Sequence, residues 1–220
     1  MLEVKSAVGQ VMDSMVYVLS DGVSKDYYLV DISDFDAAQS ILPYDANVRG
    51  VFITHGHHDH IFGLNKLKAA YPACVVYASE ECAQMLASAK ANLSFYVEIP
   101  FEYDGPVVVL HDEDQIQLFD GISLIAFATP GHHPSCMSFM VENYLFTGDS
   151  YIPNVKVVTN LPGGNKKQAQ ESLAKLKELA FGRKLCPGHC VVMSDLVKIR
   201  KESDPGFDET LSYFLVYSAV

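Results

Sequence analysis

The sequence predicts an α+β fold, with two β-sheets packed face to face and helices on the outside. Three observations predict it. Runs of strand-like segments, each followed by helix-like segments, occur twice along the chain, which is the pattern of layered sheets and helices. Loops rich in His, Pro and Gly fall directly after apolar strands, where a rigid sheet can hold functional side chains. The chain has 220 residues, 49% of them hydrophobic, enough for one domain with a full core and not comfortably two. No linker or low-complexity segment interrupts it, so residues 1–220 are read as a single domain.

The elements follow in order. Residues 2–8 and 15–19 read as strands, with Asp21-Gly22 a turn. Residues 27–32 read as a third strand. Residues 35–42 read as a helix capped by Ser33 or Asp34 and stopped by Pro43. Val51-Phe52-Ile53-Thr54 is a short buried strand. After His55–His60, the apolar residues Ile61, Leu64 and Leu67 recur at helical spacing, and Pro72 closes that helix. Residues 74–78 read as a strand, and Ser79 caps a helix through about Lys90, with Glu80 and Glu81 near its positive end. Residues 91–105 are aromatic-rich and read as loop. Strands are expected at 107–110, 115–118 and 122–128, the last two joined by Asp120-Gly121. Residues 137–141 and 144–146 form a hairpin around Glu142-Asn143. Residues 166–179 are the strongest helix, with Ala169, Leu173, Leu176, Leu179 and Ala180 on one face. A short strand at 184–186 follows. Ser194 caps a last helix, and residues 207–220 finish the chain with aromatic and apolar side chains.

The bulk numbers exclude several functions. Sixteen basic against 27 acidic residues give a net charge of −11. Phosphate binding wants a basic face, so nucleic acid is not expected as a partner. An anionic membrane surface is disfavoured for the same reason. No stretch of about 18 uncharged apolar residues is long enough to span a bilayer, and Met1-Leu2-Glu3-Val4-Lys5 does not open a signal peptide. A cytoplasmic protein acting on a small molecule is expected, with its five cysteines as free thiols. The sequence sets no oligomeric state.

The chemistry centres on His55-Gly56-His57-His58-Asp59-His60, a His-x-His-x-Asp-His spacing on a strand-to-helix turn. In an extended segment residues two apart point the same way, so His55 and His57 can face one point. Asp59 and His60 open the helix and can face a second point close by. Imidazole and carboxylate are the ligands that zinc and similar ions take. A lone histidine is more often a surface or core residue, and a His-rich tract can bind metal adventitiously. This tract is bounded by an apolar strand and an amphipathic helix, so it is not low-complexity, and the spacing favours a metal site.

That segment resembles the signature of the metallo-β-lactamase superfamily of metal-dependent hydrolases. Three later segments resemble the rest of the family pattern in order: Thr129-Pro130-Gly131-His132 the third-histidine loop, Phe146-Thr147-Gly148-Asp149 the bridging-aspartate loop, and Cys186-Pro187-Gly188-His189 the final histidine loop. The resemblance implies an αββα sandwich of two mixed sheets flanked by helices. It implies two divalent metal ions, with zinc expected and iron or manganese as alternatives. His55, His57 and His132 would hold the first, Asp59, His60 and His189 the second, and Asp149 would bridge them. Three ligands per ion plus a bridge leave open positions for water and substrate, as in catalytic sites. Two such ions lower the pKa of a shared water, and the resulting metal-bridging hydroxide attacks a carbonyl. Asp59 would also orient the nucleophile and shuttle a proton. Its place after Pro130-Gly131 favours His132 over His133 as ligand, with His133 in support. His58 is expected as an exposed spacer and His111 as solvated surface. Cys136 and Cys190 are expected as buried or partly buried bystanders.

Within the superfamily, Val158-Thr159-Asn160-Leu161-Pro162-Gly163-Gly164 resembles the corresponding stretch of glyoxalase-II-like hydrolases, which cleave thioesters. Those proteins often carry an arginine shortly before the Pro-Gly-Gly element, where Lys156 and valines stand here. They also carry a longer helical C-terminal region, whereas about thirty residues follow His189. The expected function is therefore hydrolysis of a small thioester or ester. A lactonase is the nearest rival, with Tyr151, two residues after Asp149, as candidate contact for a substrate carbonyl. A mononuclear iron persulfide dioxygenase has an overlapping ligand set. A β-lactamase would be exported, a tRNA-processing nuclease would need basic surface, and a flavodiiron protein has glutamate where His57 stands. A non-enzymatic metal-binding module would not need the open positions that this ligand set implies.

Overall fold

A computed structural model describes residues 1–97 and 99–190. The helix expected from Ser194 and the apolar segment 207–220 lie outside the described residues.

The first half builds a six-stranded mixed sheet in sequence order: β1 (Glu3–Val8), β2 (Met15–Ser20), β3 (Asp26–Val30), β4 (Asn47–Phe52), β5 (Val75–Ala78) and β6 (Val107–Val109). The first three strands pair antiparallel, and β3 to β6 run parallel. Parallel neighbours need crossovers. These carry α1 (Phe35–Ile41), α2 (His58–Ile61), α3 (Leu64–Ala70) and α4 (Glu80–Leu86). The second half builds a five-stranded sheet, ordered β11 (Lys184–Pro187), β10 (Tyr144–Gly148), β9 (Met137–Val141), β8 (Ile122–Ala128) and β7 (Gln115–Phe119). Only its β10–β11 pair is parallel. The long helix α5 (Lys166–Leu179) supplies the crossover between those two strands.

Alternation along the strands creates two cores. Val16 and Val18 of β2 face the helices, in a cluster with Leu29, Val51, Ile61, Leu64, Leu67 and Leu86. Their neighbours Tyr17 and Leu19 face the other way and meet Phe52, Leu124, Phe139 and Phe146 between the sheets. The two mixed sheets with helices outside form the expected αββα sandwich, and Ala169, Ser172 and Leu176 are the buried stripe of α5.

Some boundaries differ from the sequence reading. The strand before the histidine motif starts at Asn47 rather than Val51 and ends at Phe52, pairing with β3 on one side and β5 on the other. The third strand ends at Val30, because Asp31 turns the chain at φ 57°. The single helix expected after the motif is two helices broken at Gly63. There the Gly63 N–H donates to the Ile32 carbonyl (2.8 Å), and a Cβ at this position would lie 2.7 Å from the Phe35 nitrogen. The helix from Ser79 stops at Leu86 rather than near Lys90. The buried Asn92 amide donates to the Met85 carbonyl (3.2 Å) and the Tyr103 N–H to that of Leu86 (2.8 Å), so tertiary partners take the bonds another turn would use.

Candidate metal centre

The four motif loops converge at one end of the sandwich. His55 and His57 lie in the extended loop after β4, with His57 at φ −70°, ψ 144° just before α2. Asp59 and His60 sit in α2. His132 follows β8, Asp149 follows β10, and His189 follows β11. His55, His57, Asp59, His60, His132 and His189 are buried, and the Asp149 side chain is 11% exposed.

Local contacts explain why the loops hold these positions. The Ser172 hydroxyl of α5 donates to the Pro130 carbonyl at 2.6 Å. Gly131 passes against that helix at φ 139°, where a Cβ would come 2.3 Å from the Ala169 nitrogen, so only glycine fits. A Cβ on Gly188 would lie 2.4 Å from Asp149 Oδ1, so the glycine lets the last loop approach the carboxylate.

The seven side chains form two groups that share Asp149. His57 Nδ1 lies 3.1 Å from His55 Nε2 and 2.9 Å from His132 Nε2. Asp59 Oδ2 lies 3.4 Å from His60 Nε2 and 3.3 Å from His189 Nε2. Asp149 turns Oδ1 to the second group, 3.4 Å from both His60 Nε2 and His189 Nε2. Its Oδ2 faces the first, 3.6 Å from His132 Nε2.

The far nitrogens of these rings are anchored. His132 Nδ1 meets the Val158 carbonyl at 2.9 Å, His189 Nδ1 the Met12 carbonyl at 3.0 Å, and His60 Nδ1 the Asp31 carboxylate at 2.8 Å. An acceptor at Nδ1 fixes a proton there, so that in the neutral ring the Nε2 lone pair faces inward. His60 Nε2 and Asp149 Oδ1 are buried without a hydrogen-bond partner. Unpaired buried polar atoms are costly, and converging lone pairs and carboxylate oxygens are the environment a divalent cation satisfies. The donor set fits two such ions.

The electrostatics divide the same way. Burial pushes the His55 and His57 imidazoles well below their usual range, and neighbouring imidazoles add to it. Burial alone would lower His60 as well, but the carboxylates of Asp59, Asp31 and Asp149 hold it well above. His189 follows the same balance, with burial overcome by Asp149 and Asp59, and rises to about 10. Burial would raise Asp59 and Asp149, yet the charges of His60 and His189 hold both well below the carboxylate range. His55 and His57 are thus held neutral, and the second group is a cage of paired charges.

Asp31 is the participant that sequence reading missed. Its Oδ1 accepts the Thr54 N–H at 2.7 Å, and its Oδ2 accepts the Thr54 hydroxyl at 2.8 Å besides holding His60. The Thr54 hydroxyl in turn lies 3.2 Å from His55 Nδ1. One buried carboxylate thereby orients a histidine in each group. The available signal was an acidic residue directly after the apolar strand β3. Ser14 was also missed: it is fully buried, and its hydroxyl donates to Asp59 Oδ2 at 3.2 Å.

The remaining candidates fall outside the two groups. His58 is 7% exposed rather than an exposed spacer, and its N–H donates to the Asn92 carbonyl at 2.9 Å, which ties α2 to the loop after α4. His133 Nδ1 lies 2.8 Å from the Ser135 hydroxyl, and its ring packs 5.5 Å from that of His57 and against Gly163. His111 is exposed beside Asp114. Cys136 is buried, with its thiol pushed up to about 12 by burial, and Cys190 is half-buried. A narrow cleft beside His132 and Asp149 is lined by Ile152, Val155, Lys156, Val157 and Val158. The half-buried Tyr151 is not among its walls.

Comparison with known proteins gives consistent relationships. The profile of the metallo-beta-lactamase superfamily matches residues 44–189, about two thirds of the chain. A hydroxyacylglutathione hydrolase of Erwinia tasmaniensis is 24% identical over 191 residues, which is 87% of this chain and 67% of that protein. The chain spans 64% and 48% of two further proteins of the same name. Among solved structures, the BLEG-1 B3 metallo-beta-lactamase superposes with a TM-score of 0.75 at 22% identity, over 86% of this chain and 92% of that one. TTHA1623 in a di-iron-bound form superposes with a TM-score of 0.69 at 23% identity, over 84% and 90%.

Proposed function

The chain belongs to the metallo-beta-lactamase superfamily, and from that membership we propose that it is a metal-dependent hydrolase of a small thioester or ester. The observation that carries the reading is the pair of ligand groups joined through Asp149, with His60 Nε2 and Asp149 Oδ1 left unsatisfied. His55, His57 and His132 would hold one ion, Asp59, His60 and His189 the other, and Asp149 would contact both. Ions held there, with zinc expected and iron or manganese as alternatives, would supply a hydroxide nucleophile at neutral pH and polarise the substrate carbonyl.

The chain's own residues do the rest. Asp59 would orient the attacking water by accepting its hydrogen bond, then take up and return its proton. Ile152, Val155, Val157 and Val158 would present an apolar wall beside His132 and Asp149 that keeps bulk water from the site. The backbone of Val158 both walls the cleft and anchors His132, so substrate contact and ligand position are coupled. Tyr151 remains the candidate for contacting the substrate beyond the cleft wall. The name of the curated relatives supports a thioester. A cytoplasmic location and a small-molecule partner belong to the same reading, and no helix among the described residues is long and apolar enough to cross a membrane.

The test is elemental analysis of the purified protein, followed by assay of thioesters, lactones and a chromogenic β-lactam. About two metal ions per chain and turnover of a thioester or ester support the reading. One tightly held iron without a second ion would replace it with the persulfide dioxygenase.

A further inference from the structure

The turn between β1 and β2 reaches the second ligand group from the opposite end of the described chain. Ser14 pairs with His189 in an isolated antiparallel bridge, and the Met15 N–H donates to the Gly188 carbonyl at 2.8 Å. Two ties run from this turn to ligand side chains. The Met12 carbonyl meets His189 Nδ1, and the Ser14 hydroxyl donates to Asp59 Oδ2, the oxygen that faces His60 and His189.

The turn is built for these contacts at a conformational cost. Met12 and Asp13 are consecutive non-glycine residues at φ 56° and 53°, a conformation that persists only where the surroundings over-determine it. The Ser14 carbonyl accepts both the Gly9 N–H (2.8 Å) and the Ser33 hydroxyl (3.2 Å). These bonds fix the backbone and aim the fully buried side chain. Among the described residues, no hydrogen bond from this turn reaches the first group: His132 is anchored by Val158 and His55 by Thr54.

We propose that Ser14 is a positioning residue for the second metal position alone, holding Asp59 in its ligating rotamer through the Ser14–Asp59 hydrogen bond. The proposal rests on the two-ion reading above. A hydrogen-bonded carboxylate loses less freedom when it ligates, so removing the bond lowers affinity at the position that carboxylate serves.

The test is stepwise cobalt titration of the metal-stripped protein, followed by visible absorption and calorimetry. His132→Ala and His189→Ala identify which step belongs to which position. Ser14→Ala removes one oxygen from a packed side chain and is expected to fold. It should weaken the step that His189→Ala abolishes by about tenfold or more, and leave the other within about twofold. A donor-bearing variant, Ser14→Thr or Ser14→Asn, should restore the weakened step. Unchanged steps, equal weakening of both, binding of a single ion, or no restoration by either folded donor variant would each overturn the proposal. If the two steps split as expected but no ester or thioester is turned over, the assignment of Ser14 stands and the proposed reaction falls.

Discussion

At the residue scale, each ligand candidate has a distinguishable removal phenotype. His57→Ala and His189→Ala each delete one inward nitrogen on a loop and spare both cores. Hydrolysis is expected to be lost while circular dichroism stays near wild type, and near-wild-type turnover by either variant with metal replenished would contradict the assignment. Asp59→Asn keeps size and one oxygen but removes the charge and the proton acceptor. Its kcat is expected to fall about 10²-fold or more, and kcat measured against zinc concentration should show no full rescue. Asp31→Ala acts through its partners, leaving the buried Thr54 N–H unpaired and the Thr54 hydroxyl with His55 Nδ1 alone. A stability loss of about 1–3 kcal/mol in urea unfolding is expected for such groups, together with weaker metal uptake, because His60 loses its anchor. The motif residues could be read from spacing, since one strand-to-helix turn carries four of them. Asp31 could not be assigned a role that way: its place directly after β3 was a local sign, but its partners Thr54 and His60 lie far along the chain and spacing does not show the encounter. His58 was misread for the same reason: it is buried where its backbone meets Asn92, a residue distant in sequence.

At the element scale, periodicity located the strands and α5, and tertiary contacts moved the ends. The apolar stripe of α5 is continuous, so both ends matched. The helix after the histidine motif keeps its apolar spacing across Gly63, and only the approach of Ile32 and Phe35 reveals the break. Residues 47–50 lack apolar alternation and joined β4 through backbone pairing with β3, with Gly50 pairing to β5 as well. The seating of α5 on the third-histidine loop gives a prediction at this scale. Gly131→Ala would place a methyl against the Ala169 backbone at a φ that side chains rarely adopt. A loss of about 2 kcal/mol or more is expected by urea unfolding, with weaker metal binding at the position of His132.

At the scale of the whole molecule, His55, His57, Asp59 and His60 come from the first sheet's crossovers, and His132, Asp149 and His189 from the second sheet's loops. Bound ions would cross-link the two halves. Chelation is therefore expected to lower the Tm, by an amount equivalent to about 4 kcal/mol when free metal had stood at 1,000 times its Kd. The cage also sets the sign of the pH dependence. Asp59 and Asp149 hold protons on His60 and His189 in the metal-free protein, and an entering cation must displace them. Affinity should rise with pH through the neutral range, because His60 and His189 are both held protonated above the usual imidazole range. Calorimetry at neutral pH in two buffers of different ionisation enthalpy should show net proton release. The layered architecture was legible from strand and helix runs, whereas the shared carboxylate geometry at the end of the sandwich depends on how the two sheets dock.

The bridge between Ser14 and His189 has a consequence for a chain still being made. His55, His57 and His132, with the Val158 carbonyl and the α5 contacts that hold the His132 loop, are all present once the ribosome has passed α5, whereas the second group waits for β11 to bring His189 back to the first turn. A nascent chain thus passes through a stage with one ion position assembled and the other missing its final wall, so the two ions would enter in a fixed order during synthesis.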